Sequence, residues 1–298
     1  MRILLVGKGG QVGSELQGTL AALGDLVALD RTVADLERPD DVAALVRRER
    51  PDVIVNAAAY TAVDKAEGEA DRAQRVNATA VAALARAAAD LGATLVHYST
   101  DYVFDGTKAG RYVETDEPRP LSVYGRTKLA GEEAVTASGC RHWIFRTTWV
   151  YAAHGHNFIR TMLRLGRERD ELRVVDDQFG VPTSASLIAR VTADCLARHA
   201  AGSAPPPGIY HLAPRGETTW CRFARTILAV ARDRGVVLRC PPENVVGIAT
   251  ADYPLPARRP ANSLLDTTKL ETALTIRLPE WQDDVPSVVA ALVAGSVP

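Results

Sequence analysis

The chain has 298 residues, 47% of them hydrophobic, with a formal net charge of −1 and a pI of about 6.6. This balance lacks the basic excess of a nucleic-acid or acidic-membrane binder, and no apolar stretch reaches the ~18 residues that cross a bilayer. The cysteines show no CxxC or Cys/His metal spacing, so we expect the reduced thiols of a cytoplasmic protein. The length accommodates one large domain or two smaller ones.

An apolar run at residues 1–6, bounded by glycines, is typical of a buried parallel strand. Gly7, Gly10 and Gly13 follow with the spacing of a dinucleotide-binding loop. The first permits a tight turn, the second lets backbone N–H groups approach a pyrophosphate, and the third lets the next helix pack closely. That helix is predicted over residues 12–23, and its N-terminus favours bound phosphates. The alternative is a plain strand–helix turn.

A second predicted strand, residues 26–29, ends at Asp30, whose carboxylate is placed to accept hydrogen bonds from an adenosine ribose. Asp30 favours NADH because it repels a 2′-phosphate, whereas the nearby cations Arg31 and Lys8 are able to hold one. A solvated surface charge is the alternative interpretation of Arg31. We therefore expect either dual use of NADH and NADPH or a preference for NADPH.

Strands and helices continue to alternate through the first half of the chain. Further strands are predicted at 53–56, 94–98 and 142–146, and further helices at 39–50, 70–90 and 124–136. Repeated βα units of this kind predict an α/β fold with a Rossmann-type, doubly wound parallel sheet. Ligands of such a sheet bind beyond the carboxyl ends of its strands.

After residue 149 the alternation becomes less regular. Helices are predicted at 157–166, 184–200, 219–233 and 281–293, and strands at 172–175 and 209–212, with a proline-rich hinge at 201–207. We expect a dinucleotide-binding domain from residues 1–151 plus about 171–203. Residues 152–170 plus 204–298 are expected to form a smaller α/β C-terminal substrate domain.

Tyr124 and Lys128 lie four residues apart on the helix predicted over 124–136, so they share one face. The lysine cation is expected to favour the phenolate and to lower the pKa of Tyr124 from its usual value of about 10. A tyrosine tuned in this way gives a proton to a carbonyl oxygen or takes one from an alcohol. A tyrosine and a lysine four residues apart occur often by chance. The pair indicates a catalytic site here because the glycine loop and Thr100, which lies upstream, accompany it.

The chain resembles the extended short-chain dehydrogenase/reductase family in the segments GKGGQVG (7–13), NAAAYTAVDKAE (56–67), STDYVFDG (99–106), YGRTKLAGE (124–132), RTTWVYA (146–152), DDQFGVPT (176–183) and ARRPANSLLDTTKL (257–270). The resemblance covers nearly the whole chain, and the C-terminal segment carries most weight because generic family members lack it. It implies reduction of a dTDP-linked 4-keto-6-deoxy sugar, the expected substrate partner, by NADPH or NADH.

The resemblance also implies roles for single residues. Tyr124 is the implied proton donor, Lys128 its partner at the nicotinamide ribose, and Thr100 a donor to the substrate carbonyl. The implied cofactor contacts are Gly10, Gln11 and Val12 at the pyrophosphate, Asp35 and Leu36 at the adenine, Ala59, Tyr60 and Thr61 under the nicotinamide, and Tyr98.

Asp101 and Trp149 match sugar-nucleotide contacts, although a tryptophan at a strand end is more often a wall of the crevice. Arg258 and Arg259 suit a diphosphate because guanidinium groups match phosphate geometry. A solvated basic turn explains these two arginines equally well. Asn77 matches a structural asparagine that kinks a helix.

Other functions stay open. A reductase of another nucleotide-linked 4-keto sugar, or an epimerase, uses the same fold, whereas Tyr102 stands where 4,6-dehydratases place their catalytic glutamate. A non-catalytic NADP-binding regulatory subunit of methionine adenosyltransferase is a further hypothesis, weakened by the intact Thr100, Tyr124 and Lys128. Glu15 matches one acid of a Mg²⁺ cluster at a dimer interface in relatives, but is better explained as a first-turn helix acid. No metal ligands are predicted; Mg²⁺, a monomer and a homodimer stay open.

Overall fold

The computed structural model describes residues 1–294. Its strands are β1 (Arg2–Val6), β2 (Asp25–Leu29), β3 (Val53–Asn56), β4 (Thr94–Thr100), β5 (Arg141–Thr147), β6 (Val150–Tyr151), β7 (Leu172–Val175), β8 (Phe179–Gly180), β9 (Thr183–Ser184), β10 (Gly208–His211), β11 (Thr218–Thr219) and β12 (Val245–Ile248). Its helices are α1 (Gln11–Ala21), α2 (Pro39–Glu49), α3 (Val63–Ala66), α4 (Ala70–Gln74), α5 (Ala80–Leu91), α6 (Val123–Ala137), α7 (Phe158–Glu168), α8 (Ala185–Ala200), α9 (Trp220–Asp233), α10 (Thr268–Leu274) and α11 (Val285–Ala294).

Six strands form one parallel sheet in the order β10-β5-β4-β3-β1-β2. The order reverses at β1, so successive crossover helices lie on both faces of the sheet. Helices α1 and α8 cover one face, and α2, α5 and α6 cover the other. The predicted Rossmann-type, doubly wound sheet is therefore confirmed.

Apolar side chains of the central strands alternate between the two faces. Ile3 and Leu5 of β1 pack with α1 and α8, whereas Leu4 and Val6 pack with α2 and α5. All four are fully buried, and burying such a side chain contributes about 1.5–3 kcal/mol. The continuous apolar runs in the sequence thus correspond to strands that are buried on both sides.

A second hydrophobic cluster lies outside the sheet and joins α7, α9 and α11 to the two-stranded pair of β7 and β12. Two strands take positions that the sequence did not indicate. Strand β10, which follows residue 204, is the edge strand of the main sheet beside β5, and β7 pairs with β12 instead. Long-range pairing decides both positions, and the sequence of a short strand does not indicate its partner.

The predicted elements are present, mostly with ends shifted by a residue or two. The helix predicted over 70–90 consists of α4, a π-helical turn (Arg75–Thr79) and α5 in direct succession. Asn77 lies in that turn, where its side-chain oxygen accepts from the Tyr60 N–H group at 2.8 Å. The last helix begins at Val285, because residues 281–284 form turns and Pro286 suits a first helical turn.

Candidate active site

A cleft of about 670 Å³ opens at the carboxyl ends of β1 to β4. Every predicted cofactor residue except Gly13 lines it: Gly7, Gly10, Gln11, Val12, Asp30, Arg31, Asp35, Leu36, Ala59, Tyr60, Thr61, Tyr98, Tyr124 and Lys128. Its volume falls within the range of about 300–1,000 Å³ that is usual for small-molecule sites. The fold therefore brings the glycine loop and the Tyr124–Lys128 pair into one cavity.

The glycine loop has no room for side chains at two of its positions. Gly7 has a φ of +91°, and a Cβ there would lie 2.8 Å from the backbone nitrogen of Ala58. At Gly13, inside α1, a Cβ would lie 2.0 Å from the carbonyl oxygen of Gly7. Gly13 therefore seats the helix against β1 rather than facing the cleft. Gly10 directly precedes α1, where free backbone N–H groups and the helix dipole suit a phosphate.

Asp30 follows β2 at the rim of the cleft and pairs with Lys8, whose Nζ lies 3.2 Å from Asp30 Oδ2. The hydroxyl of Thr32 donates to the Asp30 carboxylate and, with Lys8 and the Thr32 N–H group, lowers the pKa of Asp30. Asp30 is thus held in its charged form, and Lys8 is already paired.

Two charged residues of the cleft were missed by the sequence analysis, Glu37 and Arg72. Glu37 Oε1 accepts hydrogen bonds from Arg31 and from Arg72, whose Nη2 lies 2.8 Å away. Arg72 also pairs with Glu69, to which the Tyr60 hydroxyl donates at 3.1 Å. Glu37 and Arg72 stand 35 positions apart, so no local pattern indicates this network.

Tyr124 lies in the first turn of α6, and the Ser122 hydroxyl caps that helix by accepting from the Gly125 N–H group. Its ring packs edge-on against Tyr102, with ring centroids 5.5 Å apart. Burial raises the pKa of Tyr124 to about 12, an effect that the Thr100 hydroxyl partly offsets. The predicted lowering of this pKa is therefore wrong for the protein without a bound cofactor, because desolvation of the phenolate dominates.

Lys128 is buried on the same helix, and its hydrogen-bond partners lie on β4. Its Nζ donates to the Tyr98 carbonyl oxygen at 2.6 Å and lies 3.3 Å from His97 Nε2. Burial lowers the pKa of Lys128 to about 8, against a smaller opposing effect of Glu132. Lys128 therefore loses its proton more readily than its spacing from Tyr124 suggests.

Thr100 ends β4 beside Tyr124, and both Thr100 and Asp101 are buried. The Thr100 hydroxyl accepts from the Tyr102 N–H group at 3.2 Å and donates to Asp101 Oδ1 at 3.1 Å. Burial raises the pKa of Asp101 to about 6 although hydrogen bonds oppose the shift. The predicted group of Thr100, Asp101 and Tyr124 is thus brought together.

Two buried hydroxyl groups at the cleft, Ser99 Oγ and Thr147 Oγ1, have no hydrogen-bond partner within residues 1–294. They lie near the ends of the neighbouring strands β4 and β5. A buried polar group without a partner costs about 1–3 kcal/mol, so a ligand with polar atoms would stabilise both. These hydroxyls, with the open glycine loop, show that the cleft fits a polar dinucleotide.

The predicted substrate arginines have different surroundings. Arg259 pairs with Asp64 of α3 at 2.7 Å, and it also donates to the Ala257 carbonyl oxygen. Arg258 is exposed and forms no ion pair within the described chain. Neither arginine lines the cleft, so Arg259 is placed to hold the C-terminal segment against α3.

Trp149 follows β5 with a φ of +46°, a left-handed conformation that is uncommon outside glycine. Its ring stacks on Trp220 with centroids 3.6 Å apart. It also covers Gly180, where a Cβ would lie 2.5 Å from the ring. Gln178 accepts a hydrogen bond from the Trp220 indole at 3.2 Å. Trp149 therefore belongs to a packed aromatic group that does not line the cleft.

In residues 1–294 no group of three or more His, Cys, Asp or Glu side chains is arranged to hold a metal ion. Glu15 lies beyond the first turn of α1, so its expected first-turn position is wrong; its carboxylate is 3.9 Å from His154 Nδ1. The four cysteines are buried and form no disulfide. None of the helices in the described part of the chain is long and apolar enough to span a bilayer.

The parallel sheet, the glycine loop before α1 and the buried Tyr124–Lys128 pair define a site of the short-chain dehydrogenase/reductase class. Proteins of this class combine a dinucleotide at the strand ends with a tyrosine that moves a proton.

Comparison with known proteins identifies the family within this class. The family described as RmlD substrate binding domain matches residues 1–294, and the chain belongs to it. A dTDP-4-dehydrorhamnose reductase from Shigella flexneri is 51% identical over 296 residues, 98% of each chain. A solved dTDP-4-dehydrorhamnose reductase from Clostridium acetobutylicum has a TM-score of 0.88 at 36% identity, covering 98% of this chain and 100% of its own. One from Bacillus anthracis, in complex with NADP, has a TM-score of 0.88 at 32% identity, covering 99% of both chains.

Proposed function

We propose that this chain catalyses the NADPH- or NADH-dependent reduction of dTDP-4-dehydro-6-deoxy-L-mannose to dTDP-L-rhamnose. The observation that carries the proposal is the 51% identity to a dTDP-4-dehydrorhamnose reductase along 98% of both chains. It supports a reductase over the epimerase and the regulatory subunit considered from the sequence. The buried, protonated Tyr124 beside Thr100 provides the proton that such a reduction needs.

The cleft has residues suited to each part of the cofactor, from the adenosine to the nicotinamide. Backbone N–H groups at Gln11 and Val12 would hold the pyrophosphate over Gly10, whose own N–H group donates to the Gly7 carbonyl oxygen, and Asp30 would hold the adenosine ribose. Bound there, the reduced dinucleotide supplies the hydride. The hydroxyls at the ends of β4 and β5 and the amine of Lys128 would bind its nicotinamide half. Asp35, Leu36, Ala59, Tyr60, Thr61 and Tyr98 would supply the remaining walls.

Tyr124 is the proton donor. With a pKa of about 12, its phenol is protonated at neutral pH, the state required before a ketone is reduced. As the carbonyl carbon accepts hydride, the phenol O–H bond breaks and the proton moves to the carbonyl oxygen. The Thr100 hydroxyl donates to Asp101 in the free protein, so it must rotate to donate to that oxygen instead.

Charges at the adenosine end support use of both nicotinamide cofactors. Arg31 and Lys8 are able to hold a 2′-phosphate, but Arg31 is paired with Glu37 and Asp35, and Lys8 with Asp30. A phosphate must compete with these carboxylates, so it gains less from either cation than from a free one. We therefore propose that NADH and NADPH both serve, with a modest preference between them.

The deciding experiment measures loss of reduced-nicotinamide absorbance with dTDP-4-dehydro-6-deoxy-L-mannose made in situ, using each cofactor in turn. Tyr124→Phe should reduce the rate about 10²–10⁴-fold and leave NADPH binding intact. Tyr210→Phe is the matched control, because Tyr210 is a buried tyrosine outside the cleft whose hydroxyl donates to Pro206. Full activity in Tyr124→Phe would exclude the proposed donor. No oxidation by folded wild-type protein that binds NADPH would exclude the substrate.

The remaining assignments are also proposals. The buried, unpaired cysteines support a cytoplasmic location. We retain substrate contacts at Asp101, Trp149, Arg258 and Arg259, and either a monomer or a homodimer. We also retain a division into a dinucleotide-binding and a substrate domain, with β10 now assigned to the first and β7 to the second.

A further inference from the structure

His97 is a buried histidine that the mechanism above does not use. It lies on β4, where the parallel register places it beside Asn56 of β3. The Asn56 amide nitrogen lies 3.2 Å from His97 Nδ1, and Lys128 Nζ lies 3.3 Å from His97 Nε2. Asn56, His97 and Lys128 thus form a continuous buried row of polar side chains that ends at the active-site lysine.

Asn56 determines which nitrogen of His97 carries the proton. The Ala58 N–H group donates to Asn56 Oδ1 at 3.2 Å, so the NH₂ group of the amide faces His97. An NH₂ group only donates, so His97 Nδ1 must accept, and a neutral imidazole that accepts at Nδ1 carries its proton on Nε2. Burial holds the pKa of His97 well below its usual range, so the ring is neutral.

The Nε2–H group of His97 therefore points at Lys128 Nζ. A charged ammonium has only donors, so its contact with another donor is repulsive. A neutral amine has a lone pair and accepts this hydrogen bond. The geometry favours the neutral amine, and burial acts in the same direction by lowering the pKa of Lys128 to about 8.

The Tyr98 carbonyl oxygen, which accepts from Lys128 Nζ at 2.6 Å, does not require the ammonium, because a neutral amine keeps two N–H donors beside its lone pair. The charged and titratable groups near Lys128 include Tyr124 and Glu132 on α6 itself, His97 and Tyr98 on β4, Arg146 on β5, and Asp101 and Tyr102 on the turn after β4. Glu132 raises the pKa of Lys128, but both of its oxygens accept hydrogen bonds from Arg146. Asp101 acts on Tyr124, whose pKa it raises.

We propose that His97 is a positioning residue which, held by Asn56 with its proton on Nε2, favours the neutral amine of Lys128. The role of His97 in catalysis rests on the proposed function. After Tyr124 has protonated the ketone oxygen, the phenolate must regain a proton. An ammonium N–H bond of Lys128 breaks and the phenol O–H bond forms again. This leaves the neutral amine that accepts from His97, until it takes a proton from solvent.

Direct titration of Lys128 tests the proposal without turnover. The sequence has lysine only at positions 8, 65, 108, 128 and 269, so selective ¹³Cε labelling gives a simple NMR spectrum that Lys128→Arg assigns. In the wild-type protein without cofactor, we expect the Lys128 signal to titrate near pH 8. A midpoint near the usual value of about 10.4 would overturn the proposal.

Asn56→Asp reverses the hydrogen-bond direction with little change of shape. A carboxylate accepts from both Ala58 N–H and His97 Nδ1–H, which leaves Nε2 free to accept from the Lys128 ammonium. The Lys128 midpoint should rise by about one pH unit or more. An unchanged midpoint in a variant that melts like the wild type would overturn the proposal.

A double variant separates relay through the ring from a direct effect of the new charge. In Asn56→Asp combined with His97→Leu, the rise relative to His97→Leu alone should be smaller than the rise that Asn56→Asp produces with His97 present, because only the through-space attraction remains. A rise of the same size in both backgrounds would mean a purely through-space effect and would overturn the role of His97. In Asn56→Asp, the alkaline limb of the pH profile of kcat/KM should move to higher pH together with the Lys128 midpoint. A limb that stays at the same pH would overturn the catalytic role of His97. Absence of NADPH oxidation in every protein would instead overturn the proposed function, leaving the titration result valid.

Discussion

Glu132 of α6 and Arg146 of β5 form a buried ion pair that ties the helix of Tyr124 and Lys128 to the sheet. Their side chains are 2% and 3% exposed. Arg146 Nε donates to the two carboxylate oxygens at 2.9 and 3.1 Å, and Nη2 donates at 2.6 Å. Glu132→Gln leaves the guanidinium buried without a compensating charge. We expect the free energy of unfolding to fall by about 3–5 kcal/mol.

Urea unfolding, followed by tryptophan fluorescence and far-ultraviolet circular dichroism, measures this loss. The control is Glu168→Gln, because the Arg164–Glu168 pair is about as short, at 2.7 Å against 2.6 Å, but its side chains are 60% and 51% exposed. That variant should lose less than about 1 kcal/mol. Combining Glu132→Leu with Arg146→Met should recover most of the stability, since neither charge is then buried alone. A Glu132→Gln variant no less stable than Glu168→Gln would refute the reasoning.

Three shorter predictions follow from single positions. The raised pKa of Asp101, about 6, means that the folded protein retains a proton that the unfolded chain releases near pH 4, so stability falls as pH rises from about 4 to 6. Asp101→Asn should therefore be more stable than wild type above pH 6, by up to about 3 kcal/mol in urea titrations, and equal to it at pH 4. Gly13→Ala should lower the stability, measured by thermal unfolding, by at least about 1–3 kcal/mol because the new Cβ meets the Gly7 carbonyl group. Gly18→Ala is the control: no atom lies within 4 Å of its new Cβ, so it should raise the stability by about 0.5–1 kcal/mol. Glu37→Gln should raise the ratio of kcat/KM for NADPH over NADH severalfold, about 1 kcal/mol, and an unchanged ratio would exclude Glu37 as a competitor of the phosphate.

The parts of the fold that could be predicted depend on neighbours in sequence. The glycine spacing, the two-sided apolar strands and the helix after Ser184 are local patterns, and each is found where it was expected. The edge position of β10 and the pairing of β7 with β12 depend on residues far along the chain. Local propensity contains no information on such partners, so the sequence could not indicate where these two strands lie.

The adenosine end of the cleft shows the same limit within the site. Asp30 and Arg31 were predicted because they follow a recognisable strand. Glu37 and Arg72 could not be, because Arg72 lies on α4, 35 positions from Glu37, and only the fold brings the two side chains together. Glu37 changes the electrostatic conclusion because, together with Asp35, it forms ion pairs with Arg31, which is therefore not a free cation.

The direction of the pKa shift at Tyr124 was mispredicted for a related reason. Spacing of four residues places both on one helical face, and on an exposed face the attraction between phenolate and ammonium would decide the shift. In the fold, Tyr102 and β4 remove water from both groups, and desolvation disfavours the charged form of each. The pKa of Tyr124 therefore rises to about 12 while that of Lys128 falls to about 8. The proton rests on the phenol before the substrate arrives and returns to it readily afterwards, so burial prepares this site for reducing a ketone rather than for oxidising an alcohol.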